Sequence, residues 1–315
     1  DDVPWESLFK GTDSPTFPYD LASLQADNGK TGLLPSTPYG NSILAELAKA
    51  AVKGEQLGQD AVTDFLAVSF SSTDYVGHRF GPNSKELQDT YLRLDRDLAD
   101  FFSFLDQEVG QGNYLLFLTA DHAVAEVPGR LQQEQIPGGL FDGSAMKDAL
   151  TAHLASEFGA GQWVENISSN QVFLNREVIA GSRYSFETIK EEARRFLSTW
   201  PHIRQVIDAQ NPALHVATEG ILAILRRGWH PQRSGDLLID LEPAWFPAYG
   251  PTGTTHGSGF AYDTHVPILW YGWNVQPGST AEHCTITDIA PTLSMMLHIP
   301  LPNSATGQPL APLTH

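Results

Sequence analysis

Two short apolar runs flank a long amphipathic helix, and this order constrains the fold more than any other feature of the chain. The first run, DFLAVSFS at Asp64–Ser71, is rich in β-forming residues and reads as a buried strand. Leu87, Tyr91, Leu94, Leu98, Phe101 and Leu105 then mark one helical face, with Asn83 or Ser84 as N-cap and Gly110 and Gly112 beyond its end. The second run, YLLFLT at Tyr114–Thr119, reads as the next strand. Strand, helix, strand at this spacing predicts a βαβ unit, because parallel neighbours need a crossover of about this length. The expected fold class is therefore α/β, with a mostly parallel central sheet flanked by helices.

The remaining segments extend this plan. Residues 1–38 are rich in Pro, Gly, Ser and Asp and predict an irregular lead-in. Ile43, Leu44, Leu47, Ala50 and Ala51 recur at helical spacing within a predicted helix from Asn41 to about Gly58. From residue 140 the pattern changes to short amphipathic pieces such as Phe186–Trp200, mixed with strand-like ones at Gln171–Asn175 and Ile203–Asp208. This predicts an inserted α+β subdomain over 140–235, between a first core segment at 1–139 and a second at 236–315. Strands are expected again at Asp236–Leu241 and Val266–Tyr271, and a closing helix over Thr287–His298. A chain of 315 residues with 41% hydrophobic content can fill a large core of this kind.

Charge and cysteine content narrow the chemistry. The formal net charge is −18, from 19 Lys and Arg against 37 Asp and Glu, which argues against a nucleic-acid groove. A small phosphorylated substrate remains compatible with that charge where metal ions supply the positive charge locally. Cys284 is the single cysteine, so an intrachain disulfide or a cysteine-based zinc cluster is excluded, and metal ligands must be His, Asp, Glu or hydroxyls. No run reaches the roughly 18 to 20 apolar residues of a membrane span, and no basic region followed by an apolar stretch opens the chain. The first residue is Asp1 rather than Met, which reads as a processed product or a piece of something longer.

Three places carry metal-capable residues just beyond a predicted strand or in a Gly-rich turn, where ligands bind in open α/β sheets. In SSTDYVGHRFGP, Asp74 and His78 are four residues apart, so one helical turn puts both on one face. Carboxylate plus imidazole suits zinc, and an ordinary i,i+4 ion pair is the plainer reading of that pair alone. In TADHA, a turn beyond the strand end can aim Asp121 and His122 at one point, although Asp121 could equally cap the following segment. In GTTHGSG, His256 sits between glycines that allow close backbone approach to an ion or phosphate, and the plainer reading is a polar surface loop. All three fall at one expected sheet edge, which makes a shared metal site the stronger account. His265 reads as a packing or surface histidine, and Arg226, Arg227, Trp229 and His230 as a solvated helix end.

TDYVGHRFGP, TADHA, GTTHGSG followed by Asp263 and VPILWYG, and finally TDIAPTL together resemble the second half of the alkaline phosphatase superfamily. The branch resembled holds single-chain bacterial alkaline phosphatases with a threonine nucleophile and the type I phosphodiesterase/nucleotide pyrophosphatases. The resemblance implies two Zn2+ ions: Asp74, His78 and His256 as ligands of one, Asp121 and His122 as two ligands of the other. It further implies an upstream aspartate and a nucleophilic threonine, neither of which has a counterpart here. Thr12, Thr16, Thr31 and Thr37 all lie in the turn-rich lead-in, so no catalytic nucleophile is found in this chain. The activity implied is hydrolysis of phosphate monoesters, with phosphodiester or nucleotide pyrophosphate hydrolysis, or a non-catalytic metal-binding chain, as alternatives. The resemblance also implies a periplasmic or secreted location and an N-terminal portion outside this chain.

Overall fold

The computed structural model describes residues 3–247 and 252–313. Its strands in chain order are β1 (Leu115–Thr119), β2 (Gly139–Phe141), β3 (Val164–Ser168), β4 (Gln171–Leu174), β5 (Ile203–Asp208), β6 (Leu237–Leu241), β7 (Trp245–Pro247) and β8 (Ile268–Gly272). Among the described residues β1 pairs with β8 antiparallel, β2 with β7 parallel, and the other four form an antiparallel sheet in the order β3-β4-β6-β5.

The lead-in is made of turns and short helical pieces. Its apolar residues Phe9, Leu24 and Leu33 pack with Val76, Phe80 and Leu87 into a small core. That core fixes the inner face of the Ser72–Phe80 helix, on which the first motif lies. The Lys85–Leu105 helix begins where expected, with the Ser84 hydroxyl accepting the Leu87 N–H at 3.2 Å. Its far end, Phe101 and Leu105, packs with Ala48 and Val52 of the Tyr39–Gly54 helix. The latter helix buries its small residues, whose short side chains let the two backbones approach. The stripe expected to be its core face points away: Ile43 is 51% exposed and Leu47 is 62% exposed.

The expected strand at Asp64–Ser71 forms no ladder, and Phe65 within it is 71% exposed. High β-propensity does not make a strand where no neighbour supplies the alternate hydrogen bonds. Among the described residues β1 therefore has a single ladder partner, β8, in place of the parallel partner expected from the βαβ pattern.

The four-stranded sheet has a core of its own. On one face Leu237, Ile239 and Leu241 of β6 meet Met146, Leu150 and Leu154 of the Gly143–Phe158 helix and Ile189, Ala193 and Leu197 of the Phe186–Leu197 helix. On the other face Leu238 packs with Ile207, Ala209 and Leu214. This alternation is the period of two that a strand imposes, and here both faces are covered. The expected boundary at residue 235 cuts this sheet, because β6 pairs with both β4 and β5 and its side chains complete the core. We propose that the inserted unit closes at about residue 242.

Candidate metal centre

The β1–β8 register explains why two distant motifs meet. Thr119 at the end of β1 is opposite Ile268 at the start of β8, so the residues after 119 and those before 268 emerge at the same end. Asp121 and His122 follow the first strand there, and His256 and Asp263 precede the second. The Ser72–Phe80 helix is brought alongside by backbone bonds: Thr254 N–H donates to the His78 carbonyl at 2.9 Å and Gly253 N–H to that of Trp5 at 2.8 Å. The helix start is held by buried Asn41, whose Oδ1 accepts the Ser72 N–H at 3.1 Å.

Asp74 is the common neighbour of the three histidines. Its Oδ1 lies 3.3 Å from Nε2 of His78, 3.9 Å from Nε2 of His122 and 4.0 Å from Nε2 of His256. Asp121 sits at the edge, with Oδ2 3.6 Å from His122 Nε2 and its side chain 88% exposed. The ligand atoms of Asp74, His122 and His256 lie within 4.8 Å of one another. All five residues singled out from the sequence thus converge. That grouping cuts across the two-ion division implied by the resemblance, since Asp74 faces His122 as well as His78 and His256.

The tautomers follow from the hydrogen bonds. His78 Nδ1 lies 2.8 Å from the Thr254 carbonyl oxygen, and His122 Nδ1 lies 2.9 Å from that of Ala123. A carbonyl can only accept, so both protons sit on Nδ1 and both Nε2 lone pairs face the cluster. The His122 and His256 rings stack with centroids 3.3 Å apart and 14° between planes. Burial pushes the His256 pKa down, and the neighbouring His122 and His78 push it further down against the opposing pull of Asp74 and Asp263. Neutral imidazole is the form that binds a metal.

These donors fit a divalent cation. Imidazole lone pairs aimed together beside a carboxylate repel one another unless a cation lies among them, and nitrogen with oxygen is a ligand set zinc accepts. Two residues outside the original five tie the loops together. Thr254 donates its hydroxyl to the Ala125 carbonyl at 2.7 Å, and Ala125 N–H donates to Thr255 at 3.2 Å. Buried Asp263 accepts the Gly257 and Ser258 N–H groups, and its own carbonyl accepts the Ala123 N–H. Both residues stand inside or just after the third motif, but their roles are tertiary and leave no spacing signal. The hydroxyls of Thr12, Thr16 and Thr37 bond within the lead-in, to Phe9, Ser14 and Leu34 respectively.

A cluster of histidines and carboxylates at a strand end, on an α/β framework, is the arrangement of a metal-centred hydrolase. The type I phosphodiesterase / nucleotide pyrophosphatase family matches residues 17–265, and the chain belongs to that family of phosphoric ester hydrolases. It is 43% identical over 313 residues to a protein of Myroides odoratus named calcium-transporting ATPase, covering 98% of this chain and 57% of that one. It is 42% identical over 311 residues to alkaline phosphatase PafA of Elizabethkingia meningoseptica, covering 98% of this chain and 56% of that one. A crystal structure of wild-type PafA superposes with a TM-score of 0.93 at 39% identity, covering 100% of this chain and 60% of that chain. The fold is accordingly the alkaline-phosphatase-like α/β fold. The chain spans a little over half the length of the curated relatives it matches, 56% and 57% for these two.

Proposed function

We propose that this chain supplies the metal-binding part of a zinc-dependent phosphate monoester hydrolase. The observation that carries the reading is the convergence of three imidazoles on Asp74 Oδ1, with the protons of two fixed on the far ring nitrogen. Monoesters are favoured because relatives more than 40% identical are named alkaline phosphatases. The family's description gives the second reading, phosphodiester or nucleotide pyrophosphate hydrolysis.

Asp74, His78 and His256 would hold one ion, and Asp121 and His122 would contribute to a second. Bound zinc supplies Lewis acidity, polarising the ester oxygens and lowering the pKa of an attacking hydroxyl. The chain's own residues do the positioning. Thr254 and Ala123 carbonyls orient two imidazoles, and the bonds of Ala125 with Thr254 and Thr255 keep the loop of His256 beside that of His122. With a net charge of −18, the chain depends on bound cations to attract an anionic ester.

The nucleophile and the remaining ligands belong, in this reading, to sequence beyond the span matched here. Exposed apolar side chains on β8, the strand that leads away from the cluster, support it: Leu269 is 58% and Tyr271 is 44% exposed. Export to the periplasm or beyond is part of the proposal and rests on the family resemblance alone. No described helix is long and apolar enough to cross a membrane.

The test is metal analysis of the chain, together with hydrolysis of aryl phosphate mono- and diesters by the full gene product. Zinc in the chain and faster cleavage of the monoester are expected. A metal-free chain sinks the site assignment, and faster diester cleavage turns the substrate assignment to the second reading.

A further inference from the structure

Asp263 is 3% exposed and lies in the short Ala261–Thr264 turn of helix, outside the five residues of the metal cluster. One residue here holds two loops. Its Oδ2 accepts the N–H groups of Gly257 at 3.1 Å and Ser258 at 2.7 Å, the two residues that follow His256. Its backbone carbonyl accepts the N–H of Ala123 at 2.7 Å, the residue that follows His122. The His122 carbonyl-bonded ring and the His256 ring, stacked at 3.3 Å, are therefore both anchored one residue away from the same aspartate. The second carboxylate oxygen, Oδ1, is buried without a hydrogen-bond partner among the described residues. A carboxylate buried with one oxygen unpaired is costly in isolation. It becomes tolerable beside positive charge, and the neighbouring cluster is built for a cation.

We propose that Asp263 is a positioning residue that sets the separation of His122 and His256, and so the geometry of the metal cluster those rings line on either side of Asp74. The inference rests on the metal-site reading above. Gly257, with φ +118°, takes a backbone conformation that presents its N–H and that of Ser258 to one oxygen atom. Asparagine can keep one oxygen on those two donors, whereas alanine cannot. The two substitutions therefore separate the role of the hydrogen bonds from that of mere volume.

The experiment loads the 315-residue chain with Co2+ in place of zinc and records the visible ligand-field spectrum, which reports coordination geometry. Zinc affinity is measured in parallel by competition with a chromophoric chelator, and folding of the metal-free proteins by circular dichroism. In Asp263→Ala, affinity is expected to fall about 10- to 100-fold with a changed Co2+ spectrum, the range seen when groups orienting metal ligands are removed. Asp263→Asn is expected to restore the native spectrum and most of the affinity. A native spectrum and affinity in Asp263→Ala would overturn the proposal. So would a spectrum in Asp263→Asn as altered as that of alanine, and this variant decides the question if alanine fails to fold. Absence of metal from the unsubstituted chain would instead remove the underlying site reading.

Discussion

His78 and Thr254 are joined by a hydrogen bond of 2.8 Å from the ring Nδ1 to the backbone carbonyl, across 176 positions of sequence. The bond fixes which nitrogen of His78 faces Asp74, and it comes from a peptide group, so no side-chain substitution at Thr254 removes it directly. The neighbouring glycine is the accessible lever. Gly253 has φ +75°, and a Cβ there would stand 2.4 Å from the His78 carbonyl oxygen.

Gly253→Ala is expected to destabilise the chain by about 1–3 kcal/mol, the cost of forcing a side chain into left-handed backbone, and to weaken zinc binding at the same time. Denaturant unfolding and chelator competition check the two effects. If stability falls while zinc affinity is unchanged, the loop does not transmit strain to His78.

Within the cluster the ligand contributions should rank by position. Asp74, facing all three histidines, is expected to abolish stoichiometric zinc binding when replaced by alanine, and His256→Ala to do nearly the same. Asp121→Ala should cost less, because its side chain is 88% exposed and approaches only His122. Elemental analysis after gel filtration gives the order. Full zinc content in Asp74→Ala and His256→Ala together contradicts the assignment.

A pH effect is expected far from the metal. The Glu192 carboxyl is held below the usual range by its hydrogen bond to His153 at 2.7 Å and by Arg195, against the opposing effect of burial. A carboxyl with a lowered folded pKa contributes stability that is complete above its unfolded value, about 4.3, and is lost as pH falls through the folded value. Glu192→Gln should therefore be less stable than the native chain at pH 6, with the gap closing below about pH 4. Urea midpoints across that window measure it, and a constant gap would show that charge at Glu192 is not the cause.

Leu150, fully buried between its helix and the four-stranded sheet, supplies the packing test. Leu150→Ala is expected to cost about 2–5 kcal/mol by removing side-chain volume from a close-packed core. Zinc affinity of the folded protein should stay the same, because that core is built from the four-stranded sheet and its helices, whereas the cluster residues lie on the Ser72–Phe80 helix and the loops at the β1–β8 end. A parallel loss of zinc affinity would mean that the two regions are coupled.

Local signals were legible in the sequence where one segment suffices to make them. YLLFLT became β1, and Ser84 capped the following helix as its position suggested. The Asp74–His78 spacing was also local, and the helix places the pair 3.3 Å apart. Features that depend on a neighbour were not legible. DFLAVSFS has strand composition but no ladder, and the Tyr39–Gly54 helix buries Ala48 and Val52 rather than Ile43 and Leu47 because its partner is the Phe101 end of another helix. The roles of Thr254 and of the Asp263 carbonyl depend on groups more than a hundred positions away in sequence, which no residue pattern encodes.

The four-stranded sheet has one further consequence. Among the described residues its strands pair only with one another, and its two helices close over an interior that the β2–β7 pair joins only through Phe141 and Trp245. Substitutions inside that interior can therefore retune the unit and the loops it carries while the histidine cluster stays where β1 and β8 set it, as an exchangeable cartridge leaves its housing unaltered.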